Sequence, residues 1–422
     1  MDFLSHLEKY LNQDEINELD ASLQGESKHA LLLNTSKMSE EVLFSLFPNV
    51  TRHPIVKNAY LYNKNEYDLG KSIYHALGCF YLQEPSAMIP AYLLNPKPGE
   101  VVLDLCAAPG GKSMQASLLM ENKGLIVSND IAKNRAFAIS ENAERLGRGN
   151  LLITNNDFSL VYKIFLNSFD KIILDAPCSG SGMFRKEDKM LQDWSYQKVL
   201  KYAEIQKELI LMSYQMLKEG GTMVYSTCSF SYEEDEEVIE YLLNNSDAEI
   251  IDLSDNPLFF KKGPGIHLFP SLFPGEGHYV CLIKKPGQIR VSVKEEKVSN
   301  KYKIATPYTH IEKFGDYLYT MSETFNIKKL NVIRYGVKVG EVTKDGVKYD
   351  HHYAQFVNDF SVVKEITFEE LLRYYQGECL NSNVTKGDVL LKYQGINVDI
   401  AKSDGRIIKN HLPKGLRRKY TF

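Results

Sequence analysis

Two cysteines stand just past strand-like runs. Cys178 ends Asp175-Ala176-Pro177-Cys178, and Cys228 ends Tyr225-Ser226-Thr227-Cys228. A cysteine attacks carbon as its thiolate, so each is a candidate nucleophile for covalent catalysis. Taken singly, a cysteine is more often a small buried hydrophobe.

A third stretch supplies a place for a ligand. Val101-Val102-Leu103-Asp104-Leu105 is an apolar run broken only by Asp104, which suits a strand buried on both faces. Cys106-Ala107-Ala108-Pro109-Gly110-Gly111-Lys112 follows, then a helix-competent segment from Ser113 to Glu121. Strand, small-residue turn and helix form the layout of a nucleotide or cofactor loop. Its backbone can approach a ligand closely, and the helix N-terminus favours an anionic group. A P-loop is disfavoured because Cys106 holds its first glycine position, and no Gly-x-Gly-x-x-Gly fingerprint is present.

These segments must be held by alternating strands and helices. Further strands are expected at Leu125–Ser128, Leu151–Thr154, Phe169–Asp175 and Thr222–Thr227, with a long helix at Gln197–Met216 and a late hairpin strand at Tyr279–Ile283. Each marked loop then follows a strand C-terminus, where open α/β sheets bind ligands. Asp130 follows the second strand and Asp157 the third. An acid at the first of these places can accept hydrogen bonds from ribose hydroxyls. The acidic run Glu233–Glu237 reads as a solvated helix start. Upstream, Phe3–Leu11 has helical spacing and His53–Tyr62 reads as strand.

Together these three segments resemble the RNA cytosine-C5 methyltransferase family, and the tail Lys409–Arg418 resembles that of its bacterial 16S ribosomal RNA branch. The resemblance implies a Rossmann-like, S-adenosylmethionine-dependent methyltransferase domain. It implies Cys228, in the Thr-Cys motif, as nucleophile and Cys178, in the Pro-Cys motif, as the thiol that helps release product. Asp175 would lie near the cytosine N3 and exocyclic amine and close to the cofactor, with Lys112 serving the same site. Asp104 and residues Cys106, Ala107, Ala108, Pro109, Gly110, Gly111 and Lys112 would hold the methionyl part. Asp130 would hold the ribose and Asp157 the adenine amine, with Arg135 on the following helix among the cofactor contacts. The family usually has Arg where this chain has His267, which would weaken or move any phosphate or base contact made there.

The expected fold class is therefore α/β. An N-terminal α/β region (1–95) precedes the methyltransferase domain (96–285). A linker (286–303) leads to a β-rich C-terminal RNA-binding module of the pseudouridine-synthase type (304–422). The net charge of −4 excludes a uniformly basic nucleic-acid coat, so RNA contact must be local. The last 17 residues, Arg406 to Phe422, carry six Lys/Arg and no acid. The six cysteines are scattered without a Cys-x-x-Cys pair, so no metal is expected. With no signal peptide or membrane helix in view, the chain is expected to be a cytoplasmic monomer with reduced thiols. The expected partner is ribosomal RNA or the small ribosomal subunit. A transfer RNA methyltransferase and a non-catalytic ribosome assembly factor are the competing readings.

Overall fold

A computed structural model describes residues 3–186, 191–253, 255–288, 304, 306–308, 310–323, 325–344, 346–357 and 359–421. Most of the expected linker, 289–303, lies outside the described residues.

The central unit is built on a nine-stranded sheet. Its strands are β1 (Val101–Asp104), β2 (Leu125–Asn129), β3 (Leu151–Thr154), β4 (Phe169–Asp175), β5 (Leu217–Thr227), β6 (Glu249–Ile251), β7 (Ile266–His267), β8 (Tyr279–Lys284) and β9 (Val332–Tyr335). The spatial order is β6-β8-β5-β4-β1-β2-β3-β9, with β7 paired to β8. Strands β3, β2, β1, β4 and β5 run parallel. The residues of β2 and β3 are all buried, as expected when helices cover both faces. The order reverses between β1 and β4, which opens a crevice at their C-terminal ends.

Helix α1 (Gly111–Leu119) follows β1, and α2 (Lys133–Leu146) follows β2. Gly147 ends α2 in the left-handed conformation at φ 67°. Helix α3 (Phe158–Ile164) follows β3, and α4 (Tyr196–Met216) begins on Ser195, whose hydroxyl accepts from Lys198 N–H. Helix α5 (Glu236–Asn244) follows β5.

The N-terminal region holds a four-stranded antiparallel sheet in the order Thr51–Arg52, Ala59–Tyr62, His29–Leu33, Phe80–Gln83. The strand expected over His53–Tyr62 starts only at Ala59. Pro54 cannot donate to a ladder. The imidazole of His53 instead accepts from Ile55 and Val56 N–H, and Asn58 turns the chain at φ 61°.

This sheet is the middle layer of the molecule. Ala30 and Leu32 face the core of the central unit, including Val102, Met114 and Ile126. Leu31 and Leu33 face Leu371, Tyr374 and Val389 of the C-terminal region. Both faces of the strand are thus buried.

Residues 304–421 hold two further sheets. One comprises His310–Phe314, Tyr317–Met321, Val337–Thr343 and Gly346–Tyr349. The other runs Val363–Glu365, Gly387–Tyr393, Ile396–Ser403, Ile407–Lys409, Leu380–Asn381. Between the strands of the first sheet the chain leaves to supply β9, which pairs antiparallel with β3. Asn331 clamps this junction: it accepts from Asn155 N–H at 2.9 Å and donates to the Asn156 side chain at 2.9 Å. The basic tail is also docked, with Thr421 N–H on the carbonyl of Lys71 at 2.9 Å and Ile73 N–H on that of Thr421 at 2.9 Å.

Candidate active site

The turn after β1 starts with cis Ala108-Pro109 and enters α1 through Gly110 at φ 106°. Gly111 carries no side chain at a point where a Cβ would stand 3.0 Å from the Gln83 amide. The backbone of this turn and the strand Phe80–Gln83 therefore wall one cleft of about 680 Å³. Asp104, Cys106, Ala107, Ala108, Pro109, Gly111, Lys112, Arg135, Asp175 and Cys228 line it. Gly110, Asp130, Asp157 and Cys178 lie outside the lining.

Asp104 is 1% exposed. Its Oδ2 accepts from Ser113 Oγ at 2.7 Å, while its Oδ1 is buried without a hydrogen-bond partner among the described residues. Burial raises its pKa to about 7. Burial likewise pushes the Cys106 thiol well up, so that sulfur is no thiolate.

Asp130 sits beneath the turn. Its Oδ1 accepts from Ala132 N–H at 2.9 Å and its Oδ2 from Ala108 N–H at 3.3 Å. Arg135 reaches the Ala108 carbonyl at 3.0 Å and stands 3.5 Å from Asp130 Oδ2. Asp157 caps α3, accepting from the N–H and hydroxyl of Ser159 at 2.9 and 2.6 Å.

At the crevice between β1 and β4, Lys112 Nζ donates to Asp175 Oδ2 at 2.8 Å, and Ser226 Oγ donates to Asp175 Oδ1 at 2.7 Å. Burial opposes charge on Asp175, yet the Lys112 ammonium holds its carboxyl below the usual range.

Cys178 and Cys228 follow the parallel strands β4 and β5, and their Sγ atoms lie 3.1 Å apart as free thiols. The hydrogen bond to Cys228 and then burial push the Cys178 thiol well up. Cys178 therefore keeps its proton, and Cys228 is the sulfur of the pair that lines the cleft.

The acidic run is not a solvated helix start. Glu233, Glu234, Asp235 and Glu236 are all buried, Glu234 and Asp235 completely. Glu234 accepts from Ser179 N–H at 2.8 Å, from Ser229 Oγ at 2.7 Å and from the Ser179 hydroxyl, so one carboxyl ties both cysteine loops together. Gln206 of α4 braces the same point, donating to the Pro177 carbonyl at 2.8 Å and to Glu234 at 3.2 Å. Thr227 Oγ1 donates to Asp235. Gly182 packs so tightly that a Cβ would meet the carbonyl of Gly277 at 2.6 Å and that of Cys228 at 3.0 Å.

His267 also departs from expectation. It is 3% exposed, bonds Glu236 at 2.7 Å and stacks on Phe269, so its place faces the interior and not a phosphate. Asp235, Glu236 and His267 bring possible ligand atoms within 4.8 Å of one another. Burial and the neighbouring Glu236 push the Asp235 carboxyl well up.

His278 and Glu84 are among the cleft residues that carried no role in the sequence reading. His278, directly after Gly275-Glu276-Gly277, lines the cleft beside Cys228, and Glu84 lines it from the N-terminal region. Their sequence signal was the pair of flanking stretches Gln83–Ser86 and Gly275–Gly277, whose contact only the fold reveals.

Comparison with known proteins finds relatives over most of the chain. The family described as 16S rRNA methyltransferase RsmB/F matches residues 91–284. The N-terminal domain of 16S rRNA methyltransferase RsmF matches residues 1–85, and the methyltransferase RsmF PUA domain matches residues 362–418. Ribosomal RNA small subunit methyltransferase F of Vibrio vulnificus is 30% identical over 97% of this chain and 94% of its own length. The protein of that name from Shewanella piezotolerans is 31% identical over 92% and 90%. Among solved structures, a methyltransferase homolog protein from Pyrococcus horikoshii is 29% identical with a TM-score of 0.57, covering 66% of this chain and 93% of that one. NSun6 from the same organism, solved with SFG, shares the fold at 21% identity and a TM-score of 0.61, over 68% and 98%. With the Rossmann-like sheet, the cysteine pair and these full-length relatives in agreement, the chain belongs to the 16S rRNA methyltransferase RsmB/F family.

Proposed function

We propose that this protein transfers a methyl group from S-adenosylmethionine to C5 of a cytosine in small-subunit ribosomal RNA, through a covalent bond between Cys228 and C6. The observation that carries the reading is the 3.1 Å Cys178–Cys228 pair at the mouth of a cleft that also holds Lys112–Asp175.

The cradle fits the cofactor. Asp104 Oδ1 offers a buried acceptor to the methionyl amino group, and the small-residue turn through Gly111 lets backbone approach the ligand. Asp130 and Arg135 shape the ribose side of the turn, and Asp157 stands at the next strand end for the adenine amine. S-adenosylmethionine supplies the methyl group as an electrophile when bound.

The protein's own residues do the rest. The Cys228 thiolate adds to C6, and the displaced electron pair makes C5 nucleophilic. Asp175, held ionised by Lys112, accepts from the exocyclic amine and fixes the base. The Lys112 ammonium offsets charge that builds on the ring. Cys178, which keeps its proton, donates to the Cys228 sulfur as that sulfur departs.

The N-terminal region (1–95) and the C-terminal module (304–422) extend the surface available to ribosomal RNA, or to the assembled subunit, around the methyltransferase unit (96–285). The protein acts as a cytoplasmic monomer without a metal. Among the described residues no helix is long and apolar enough to cross a membrane. Bisulfite sequencing of total RNA from a deletion strain tests the function: a 5-methylcytosine in the small-subunit RNA disappears and returns with the wild-type gene. Loss of a transfer RNA mark alone would overturn the substrate, and no lost mark would overturn the activity.

A further inference from the structure

The covalent route needs a base. After methyl transfer C5 still carries a proton, and the C6–sulfur bond breaks only when that proton leaves. Cys178 is a poor acceptor because it holds its own proton against Cys228. Asp175 is engaged by Lys112 and Ser226. Asp104 lies at the cofactor end, on Ser113.

His278 is placed differently. It is 5% exposed, lines the cleft with Cys228 and Asp175, and keeps Nε2 3.9 Å from Asp175 Oδ1. Its Nδ1 lies 3.1 Å from Ser86 Oγ. The Ser86 hydroxyl donates to Glu84 Oε2 and can accept from Nδ1–H in turn. The Glu84 carboxylate is pinned by Ser86, Ala87 and Glu276 N–H groups at 3.0, 2.8 and 2.7 Å. This Glu84–Ser86 chain puts the imidazole proton on Nδ1 and leaves the Nε2 lone pair toward the cleft. Burial, then Lys112, pushes the His278 pKa down to about 4, so the ring is neutral near pH 7.

Resting on the covalent C5 reading, we infer that His278 is a catalytic base that removes the C5 proton of the methylated adduct, oriented by Ser86 and Glu84. The C5–H bond breaks and its pair forms the C5–C6 double bond. The C6–S bond breaks with its pair going to the Cys228 sulfur. The imidazole becomes imidazolium and passes its proton to solvent. Glu84 and Ser86 touch no reacting atom and are positioning residues.

The test uses small-subunit ribosomal RNA transcribed with tritium at cytidine C5, offered both as naked transcript and as reconstituted subunit. Wild-type protein should release one tritium per methyl transferred. His278→Gln should methylate once, hold its tritium in a protein–RNA adduct that survives denaturing electrophoresis, and release it at least ten-fold more slowly. Ser86→Ala keeps the ring but frees its tautomer, and should slow release in the same sense by a smaller factor while calorimetry shows unchanged cofactor affinity. Wild-type release rates in both variants would overturn the role of His278. Methyl transfer without tritium release by the wild type, or activity in Cys228→Ala, would instead overturn the covalent C5 reading.

Discussion

Cys178 Sγ stands 3.1 Å from Cys228 Sγ, with the two thiols carried past the ends of adjacent parallel strands. Their proposed roles separate by step, so removing each should arrest the reaction at a different point. Cys228→Ala should form no adduct and transfer no methyl group. Cys178→Ala should still attack and methylate but accumulate a protein–RNA adduct on denaturing gels. The opposite pattern would exchange the two assignments.

Asp130 should matter more to cofactor binding than Asp157. Asp130 shapes the turn through the N–H groups of Ala108 and Ala132, whereas Asp157 is exposed and spends one oxygen on its own helix cap. A hydrogen bond to a charged group contributes roughly 1.5–3 kcal/mol. Calorimetry should therefore show at least about a ten-fold loss of S-adenosylmethionine affinity in Asp130→Ala and a smaller one in Asp157→Ala. Equal affinity in both variants and wild type would remove this turn from the cofactor site.

The pKa of Asp104, near 7, gives binding a pH signature. Asp175 and Asp130 act with burial to raise it, and Ser113 and Lys112 act to lower it. A folded pKa above the unfolded one stabilises the free protein below about pH 4 and loses that contribution as pH rises through 7. A cationic amino group prefers the ionised form, so cofactor affinity should climb by up to about ten-fold between pH 6 and pH 8. Asp104→Asn should bind more weakly and flatten that climb. Titration calorimetry at both pH values decides it.

Glu234 should act as a structural clamp on both cysteine loops. Glu234→Ala leaves Ser179 N–H and the Ser179 and Ser229 hydroxyls without their acceptor in a buried setting. Each orphaned buried group costs about 1–3 kcal/mol. A clear drop in melting temperature is expected, together with loss of turnover while cofactor affinity is kept. An unchanged melting temperature would show that the loops hold themselves.

RNA affinity should depend on the docked tail. Lys409, Lys414 and Lys419 are exposed. Replacing all three with Gln should lower the slope of log affinity against log salt by about one for each phosphate that is no longer neutralised. Substitution in place is the right experiment, because cutting the chain near residue 304 would also strip β9 from the central sheet. A slope that does not change would make the tail a mere brace.

Four of the five parallel strands were legible in the sequence almost to the residue, while β5 starts at Leu217, five residues before the expected Thr222. Leu151–Thr154 and Phe169–Asp175 are apolar runs bounded by polar turns, and their bounds match the fold. The cofactor turn and the cysteine pair were legible for the same reason, since each motif sits within a few residues of a strand end. What local pattern could not show was long-range burial. Glu233–Glu236 look solvated until His6, Ser179 and His267 arrive from distant segments. The role of His278 depends on Ser86, 192 residues away. β9 is a short run whose place on β3 nothing in its own composition announces.

The position of β9 also constrains how the protein is made. A nascent chain that has not yet reached Val332 can close the cofactor crevice but leaves the backbone of Leu151–Thr154 as an open edge. The outer face of the N-terminal sheet, with Leu31 and Leu33, stays bare longer still, until Leu371, Tyr374 and Val389 emerge. Leu31 and Leu33 therefore wait for residues made more than three hundred positions later, and a methyltransferase unit halted in mid-synthesis would be a sticky, aggregation-prone intermediate and not a working enzyme.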